Sequence, residues 1–507
     1  MLPSSRRLSV TIGILVGLFL AALEATVVGT AMPTVVASLG GLEIYSWVFS
    51  AYLLTSTVTV PVWGKLSDLY GRRPFYILSI VLFVLGSTLA GFAQTMGQLI
   101  VFRAIQGAGA GGTFAVGMTI MAELYTPLER AKIQGYFGMV WAVASILGPL
   151  VGGFVTDQLS WRWVFFLNIP FGIAAIFIIA TQLVEDRSHL SQRKLDLFGI
   201  GLFTAAMTLL MTLLIRSETS FDFNSPITFM LLGGTTVFLL IFVWSERRAE
   251  DPVLPAALFR HRLFGGAVLN GFLGSAVIFG LISFIPLFVQ GVQGSTATEA
   301  GGVLTPILLG WVVFSTLGGR LLLRFTFRQI MLAGMLTMFA GFLLLDTMTA
   351  ETARTVVLRN CFIVGAGIGL TTITSMIAVQ HGVERSQLGI ATSTSQFFRS
   401  IGSAVGVAVM GTIMTQRMNQ QVASAPALEG LRQFAEKPEA LLQPAVRAGL
   451  APDLVQAFQQ MLANSLHSVF VLCTFICGAA VLTSLLMPAE RLVNPESRPL
   501  AEAPEAT

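Results

Sequence analysis

The chain has 507 residues, of which 54% are apolar and only 11% charged, and its mean hydropathy is +0.78. A water-soluble surface needs far more charge, so the composition excludes a string of soluble domains and indicates a polytopic membrane protein. The net charge of +4 is no sign of nucleic-acid binding, because Lys and Arg sit in short loops between apolar runs, where they orient a membrane chain.

Apolar windows of about 20 residues carry a helix across a hydrocarbon layer of about 30 Å. They predict fourteen spans, at 8–30, 44–63, 75–92, 99–121, 133–155, 163–183, 195–215, 227–244, 263–289, 300–323, 330–345, 356–379, 388–415 and 464–487. Arg6 and Arg7 before the first span look superficially like a twin-arginine export signal. No small-residue cleavage site closes a short apolar region and the run continues past Glu24, so the segment reads as a retained helix starting in the cytoplasm. The Lys and Arg bias places both termini there.

The second and third spans flank Gly64-Lys65-Leu66-Ser67-Asp68-Leu69-Tyr70-Gly71-Arg72-Arg73-Pro74, a basic hairpin turn at the membrane surface. Gly64 and Gly71 permit close approach or a left-handed turn, Asp68 caps or pairs, and Arg72 and Arg73 offer planar donors. A basic loop obeying charge bias explains the arginines but not Asp68. The run Gly107-Ala108-Gly109-Ala110-Gly111 in the fourth span recurs as Gly365-Ala366-Gly367-Ile368-Gly369 in the twelfth, each just after an in-span arginine. Small residues at such spacing let helices pack closely in lipid, and the recurrence suggests a duplicated bundle. The expected organisation is a six-helix bundle over 1–184, a linker with two extra helices over 185–262, a second six-helix bundle over 263–487 and a tail over 488–507. Within the second bundle, 416–463 forms an extracytoplasmic loop, a solvated connector or a lid, with an amphipathic helix over 453–466 leading into the last span.

Glu24 is the most informative side chain. A carboxylate within an apolar span costs about 2.5–3.5 kcal/mol on insertion scales, so such acids face a cavity, pair with a cation, or both. Arg103, which cannot discharge inside a protein, is its candidate partner, and two roles stay open: a proton-exchanging pair or a pair that only fixes packing. Cys361, Cys473 and Cys477 lie in apolar runs without His or carboxylate clusters and read as packed thiols, and no metal site is expected. No Walker-type phosphate loop is present, which argues against an ATP-driven pump.

The 64–74 turn resembles the signature loop of the major facilitator superfamily of transporters. The stretch from Leu23 to Pro33 is similar to the first-helix motif of its fourteen-helix drug/proton antiporter branch, with Glu24 where Asp is usual and Gly29 where Asn is usual. Arg103-Ala104-Ile105-Gln106-Gly107 is similar to the superfamily's fourth-helix coupling motif. Gly148, Pro149, Gly152 and Gly153 match its antiporter motif, in which Ala144 replaces the leading glycine. Arg399 with its neighbours, and Gln290, Gln293 and Gly294, also resemble that branch; Arg399 reads as structural or gating.

The resemblance implies an all-α membrane fold of two six-helix bundles plus two inserted helices. It implies a non-enzymatic, monomeric transporter that exports amphipathic or cationic drug-like compounds in exchange for protons across the inner membrane by alternating access. No cofactor is implied; the partners are small substrates, protons and membrane lipids. It assigns Glu24 and Arg103 to proton coupling. Gly64, Asp68, Gly71, Arg72 and Arg73 form a clasp on the opposite bundle, with Glu123 as an acidic partner. The degenerate counterpart at Gly318, Gly319, Arg320 and Arg324 lacks the aspartate. Gly148, Gly152 and Gly153 form a smooth face against which the other bundle rocks, beside a kink at Pro149. Tyr52, Phe137, Trp141 and Trp311 are the aromatic candidates for the pocket. A lipid or peptide exporter of the same build, or a non-transporting membrane sensor, are the alternatives.

Overall fold

The computed structural model describes residues 4–40, 44, 47–184, 196–220, 225–249, 252, 254, 256–295, 302–381, 383–384, 387–424 and 452–492. The described residues are mostly helical, without a strand among them. The helices are α1 (Ser4–Leu39), α2 (Trp47–Tyr70), α3 (Arg72–Gly91), α4 (Met96–Leu124), α5 (Pro127–Gln158), α6 (Arg162–Phe166), α7 (Asn168–Gln182), α8 (Leu197–Ser220) and α9 (Pro226–Glu246). They continue with α10 (Ala256–Arg260), α11 (Arg262–Leu287), α12 (Leu304–Leu321), α13 (Phe327–Asp346), α14 (Arg354–Gln380), α15 (Leu388–Ser424) and α16 (Pro452–Leu485). A wider π turn, Phe288–Val292, extends α11. With α6 and α7 taken together as one crossing, 11 candidate spans are long and apolar enough to cross a membrane. Helices α2, α5 and α8 stand where the remaining predicted spans fall.

The apolar windows misplace several ends. Helix α1 runs to Leu39, well beyond 30, and α15 runs to Ser424, beyond 415, because a helix continues into water wherever no breaker stops it. The amphipathic helix expected over 453–466 is the first part of α16. The larger correction concerns the 64–74 turn. Gly64 lies inside α2, and the reversal occupies only Gly71, whose φ of 107° is open to glycine and strained for other residues.

The core follows the two halves of the chain. Met331, Met335, Met338, Phe342, Val364, Ile368 and Phe470 belong to a single large cluster in the second half. The first half has one cluster around Val27, Met32, Val48, Trp161 and Phe165 and another around Ile14, Trp63, Tyr76 and Ile133. The inserted pair α8/α9 covers a seam between halves: Phe203 and Met207 pack with Val58 and Val60 of α2 and with Phe397 and Ile401 of α15. Exposed apolar side chains such as Phe177, Met230 and Leu240 cover the outer faces, as lipid contact requires.

The glycine runs repeat their contacts as well as their spelling. A Cβ on Gly107 or Gly111 of α4 would strike the α2 backbone at Tyr52 or Ser56, and one on Gly109 would strike α3 at Ser79 and Phe83. In the second half, Gly365 and Gly369 of α14 meet α12 at Ile307 and Trp311, and Gly367 meets α13 at Gly334 and Met338. Each run therefore wedges its helix between the two that precede it, with the same faces used in both halves.

Candidate functional site

A buried charge cluster lies inside the first bundle. Glu24 on α1 and Arg103 on α4 are each 1% exposed, and Arg103 Nη1 lies 2.5 Å from Glu24 Oε1. The other carboxylate oxygen accepts from Asn168 Nδ2 at 2.5 Å. Asn168 opens α7 directly after the short α6, and it also donates to Ser87 Oγ at 2.9 Å, while Ser87 in turn donates to the Phe165 carbonyl. Arg103 Nη1 further donates to Gln106 Oε1 at 2.8 Å, one helical turn on, and Arg103 Nε to the Val48 carbonyl at 3.3 Å. The Tyr52 ring lies 4.3 Å from the guanidinium carbon, a cation–π contact.

A carboxylate and a guanidinium out of water are tolerable only when paired and hydrogen-bonded on their remaining atoms. This cluster meets that condition from α1, α2, α3, α4 and α7 at once. Adding a proton to Glu24 removes the charge that holds Arg103 and turns two acceptor oxygens into a donor and an acceptor, so the network has two distinct arrangements.

At the end of the molecule that carries the N-terminus, the other acidic group locks the two halves together. Asp68 Oδ1 accepts from the backbone N–H of Gly389 at 3.0 Å, and Oδ2 accepts from that of Ile390 at 2.7 Å. These are first-turn amides of α15, which have no intrahelical partner and carry the positive end of the helix dipole. Arg72 Nη1 holds Asp68 Oδ1 at 2.5 Å and Arg72 Nη2 holds Glu123 Oε1 at 3.1 Å. Gly64 lets α15 lie this close, since a Cβ there would run into Ser393 and the Gly389 carbonyl. Gly389 does the same from the other side, because its own Cβ would meet the Asp68 carboxylate. Of the expected lattice, Asp68, Arg72 and Glu123 meet here, and Arg73 donates to the Ala180 carbonyl of α7.

The antiporter-motif glycines have a different neighbour from the one expected. A Cβ on Gly148 would collide with Thr26 of α1, whose hydroxyl donates to the Ala144 carbonyl at 3.1 Å. Gly148 thus packs α5 on its own bundle, two residues from Glu24. Gly152 is buried, and a Cβ on Gly153 would meet nothing within 4 Å. Helix α5 runs unbroken through Pro149 and also packs against α12 of the other half.

The three aromatic pocket candidates whose side chains are described lie in separate clusters. Tyr52 joins the charge cluster, Phe137 is buried in the first-half core, and Trp311 packs against the second-half core. The Trp141 side chain lies outside the described residues. Arg399, by contrast, lines a small cavity of about 10 Å³ in the second half, room for about one water. Sequence reading missed Asn168, Ser87 and Gly389, and included Gln106 only as a member of the fourth-helix motif. Among the described residues no three His, Cys, Asp or Glu side chains gather as metal ligands would.

The family model described as Major Facilitator Superfamily matches residues 14–407. The multidrug transporter protein MdtP of Bacillus subtilis is 36% identical over 96% of this chain and 94% of its own length. Multidrug resistance protein 3 of the same organism is also 36% identical, over 95% of each chain. Among solved structures, the human organic anion transporter MFSD10 matches with a TM-score of 0.59 at 16% identity, over 94% of this chain and 100% of that one. The proton:xylose symporter XylE matches with a TM-score of 0.56 at 14% identity, over 93% of this chain and 95% of that one.

Proposed function

Since the chain belongs to the major facilitator superfamily and resembles its drug efflux members along nearly all its length, we propose that it exports amphipathic drug-like compounds in exchange for protons by alternating access. It is a multi-pass membrane transporter and not an enzyme. In this reading both termini are cytoplasmic, the host is the inner membrane, the chain works as a monomer, and no cofactor is needed. The proposed units are the bundles 1–184 and 263–487, joined by 185–262.

The observation that carries the proposal is the Glu24, Arg103 and Asn168 cluster, an acid fully withdrawn from water and held by a cation. With the cytoplasmic end latched by Asp68 on α15, Glu24 stands ready to receive a proton from outside. Protonation releases Arg103, which loosens the first bundle where α5 seats on α1 through Gly148 and Thr26. The latch then opens, the proton leaves toward the cytoplasm, and substrate enters before the pair re-forms. A potential of 100 mV supplies about 2.3 kcal/mol per charge, enough for a gradient of about fiftyfold.

The test is reconstitution of the full chain into liposomes with an imposed pH gradient and a fluorescent amphipathic dye. Gradient-driven dye movement is expected from the wild type and none from Glu24→Gln. Equal coupled flux in that variant removes Glu24 from the mechanism.

A further inference from the structure

The second half holds a cation with nothing to neutralise it. Arg399 of α15 lines the cavity with Asn270 and Ser275 of α11, Met335 of α13, and Thr371 and Ser375 of α14. Its aliphatic stem packs where a side chain at Gly271 would stand, 3.4 Å from that Cβ position. Among the described residues it makes no ion pair and no hydrogen bond to a protein group.

The sequence explains why no acid reaches it. Across the second-half helices α11 to α16 the only acidic residues are Asp346 and Asp453. Both sit at the opposite ends of their helices from the latch: Asp346 closes α13 and Asp453 begins α16. Arg399 is 11 positions beyond Leu388, the start of α15 at the latched end, or about 16 Å along the helix. Three of the cavity's other polar side chains are already committed. Ser375 donates to the Ala267 carbonyl at 2.8 Å, Thr371 to the Gly367 carbonyl at 3.0 Å, and Asn270 Oδ1 accepts from Ser484 at 2.8 Å. The contrast with the first half is direct, since Glu24 there is fully engaged by Arg103 and Asn168.

A guanidinium stays charged in any protein environment, and one that is half-buried without a protein partner is a ready anchor for an anion. A positively charged compound entering this space meets a like charge and no free carboxylate. We propose that Arg399 anchors an acidic group, a carboxylate, sulfate or phosphate, on an amphipathic compound when this space widens beyond the single water it holds here. This deepens the export reading and rests on it: the second bundle supplies the charge that recognises cargo, and the first supplies the charge that handles protons. The same chemistry fits a free amphipathic acid or the headgroup of an anionic lipid.

The experiment uses purified full-length protein and two probes of one shape, dansyl-labelled undecanoic acid and its methyl ester, titrated by fluorescence. The wild type is expected to bind the acid about tenfold or more tightly than the ester, the value of a charge-assisted hydrogen bond. In Arg399→Gln the ratio falls to about one, and Arg399→Lys retains most of it. A wild-type ratio near one, or an unchanged ratio in well-folded Arg399→Gln, overturns the proposal; Arg399→Lys keeps the test usable if the Gln variant fails to fold. Repeating the titration in phosphatidylglycerol and in phosphatidylcholine nanodiscs separates the sources. Displacement of the acid by phosphatidylglycerol identifies the lipid headgroup, and retention identifies the free acid. Should the wild type move no dye in liposomes, the export reading fails while the acid-to-ester ratio still decides the role of Arg399.

Discussion

In the first bundle Glu24 and Arg103 neutralise one another within a network of hydrogen bonds, whereas in the second Arg399 faces a cavity alone. The two bundles nonetheless use the same glycine faces to wedge α4 between α2 and α3 and α14 between α12 and α13. The two halves match in packing and differ in charge. The loops at the latched end show the same split. The turn after α2 carries Asp68, which grips the amides of α15, while its counterpart after α12 has exposed Arg320 and Arg324 and no acid. A repeat needs matched helix contacts to fold, but a two-state machine needs its halves to respond to different ligands.

The largest expected effect comes from erasing the first bundle's charge. Glu24→Gln should reduce proton-driven dye flux to the leak of empty liposomes, while dye binding to the purified protein persists. Asp68→Asn comes next. It removes the charge from two hydrogen bonds to α15 and from the Arg72 pair, contacts worth about 1.5–3 kcal/mol when charged. The cytoplasmic end should then open roughly ten- to a hundredfold more often. Labelling of a cysteine introduced at Ser393 measures that opening, and an unchanged labelling rate rejects the latch.

Asn168→Ala leaves one oxygen of a buried carboxylate without its donor and should cost about 1–3 kcal/mol, read as a lower melting temperature of the purified protein. The smallest effect is predicted for Arg324→Ala. As an exposed position in the loop that lacks the aspartate, it should change stability by less than about 0.5 kcal/mol and leave the labelling rate unaltered. A large effect there would erase the difference between the two loops.

The charged members of the site were legible in the sequence for a physical reason. A carboxylate or guanidinium in an apolar run is costly enough to be rare, so Glu24, Arg103 and Asp68 stand out without any alignment. Their neutral partners do not. Asn168 is 144 residues from Glu24, and Gly389 is 321 residues from Asp68. An amide or a glycine in a membrane helix has many ordinary reasons to be there, so only packing reveals its role. The same limit explains the aromatic candidates: an aromatic residue marks apolar volume, and Tyr52 proved to cover Arg103, far from the cavity at Arg399. Helix ends escaped for the reason given by α1 and α15, which continue past the hydrocarbon edge without a change in local propensity.

The central claim is that cargo and proton compete through the state of Glu24, and proton release tests it most directly. Saturating amphipathic dye is added to detergent-purified protein in weakly buffered solution containing a pH indicator, starting at a pH where Glu24 is partly protonated. The account predicts that the wild type releases protons on binding and that Glu24→Gln, binding the same dye, releases none. Equal release from the variant would contradict it.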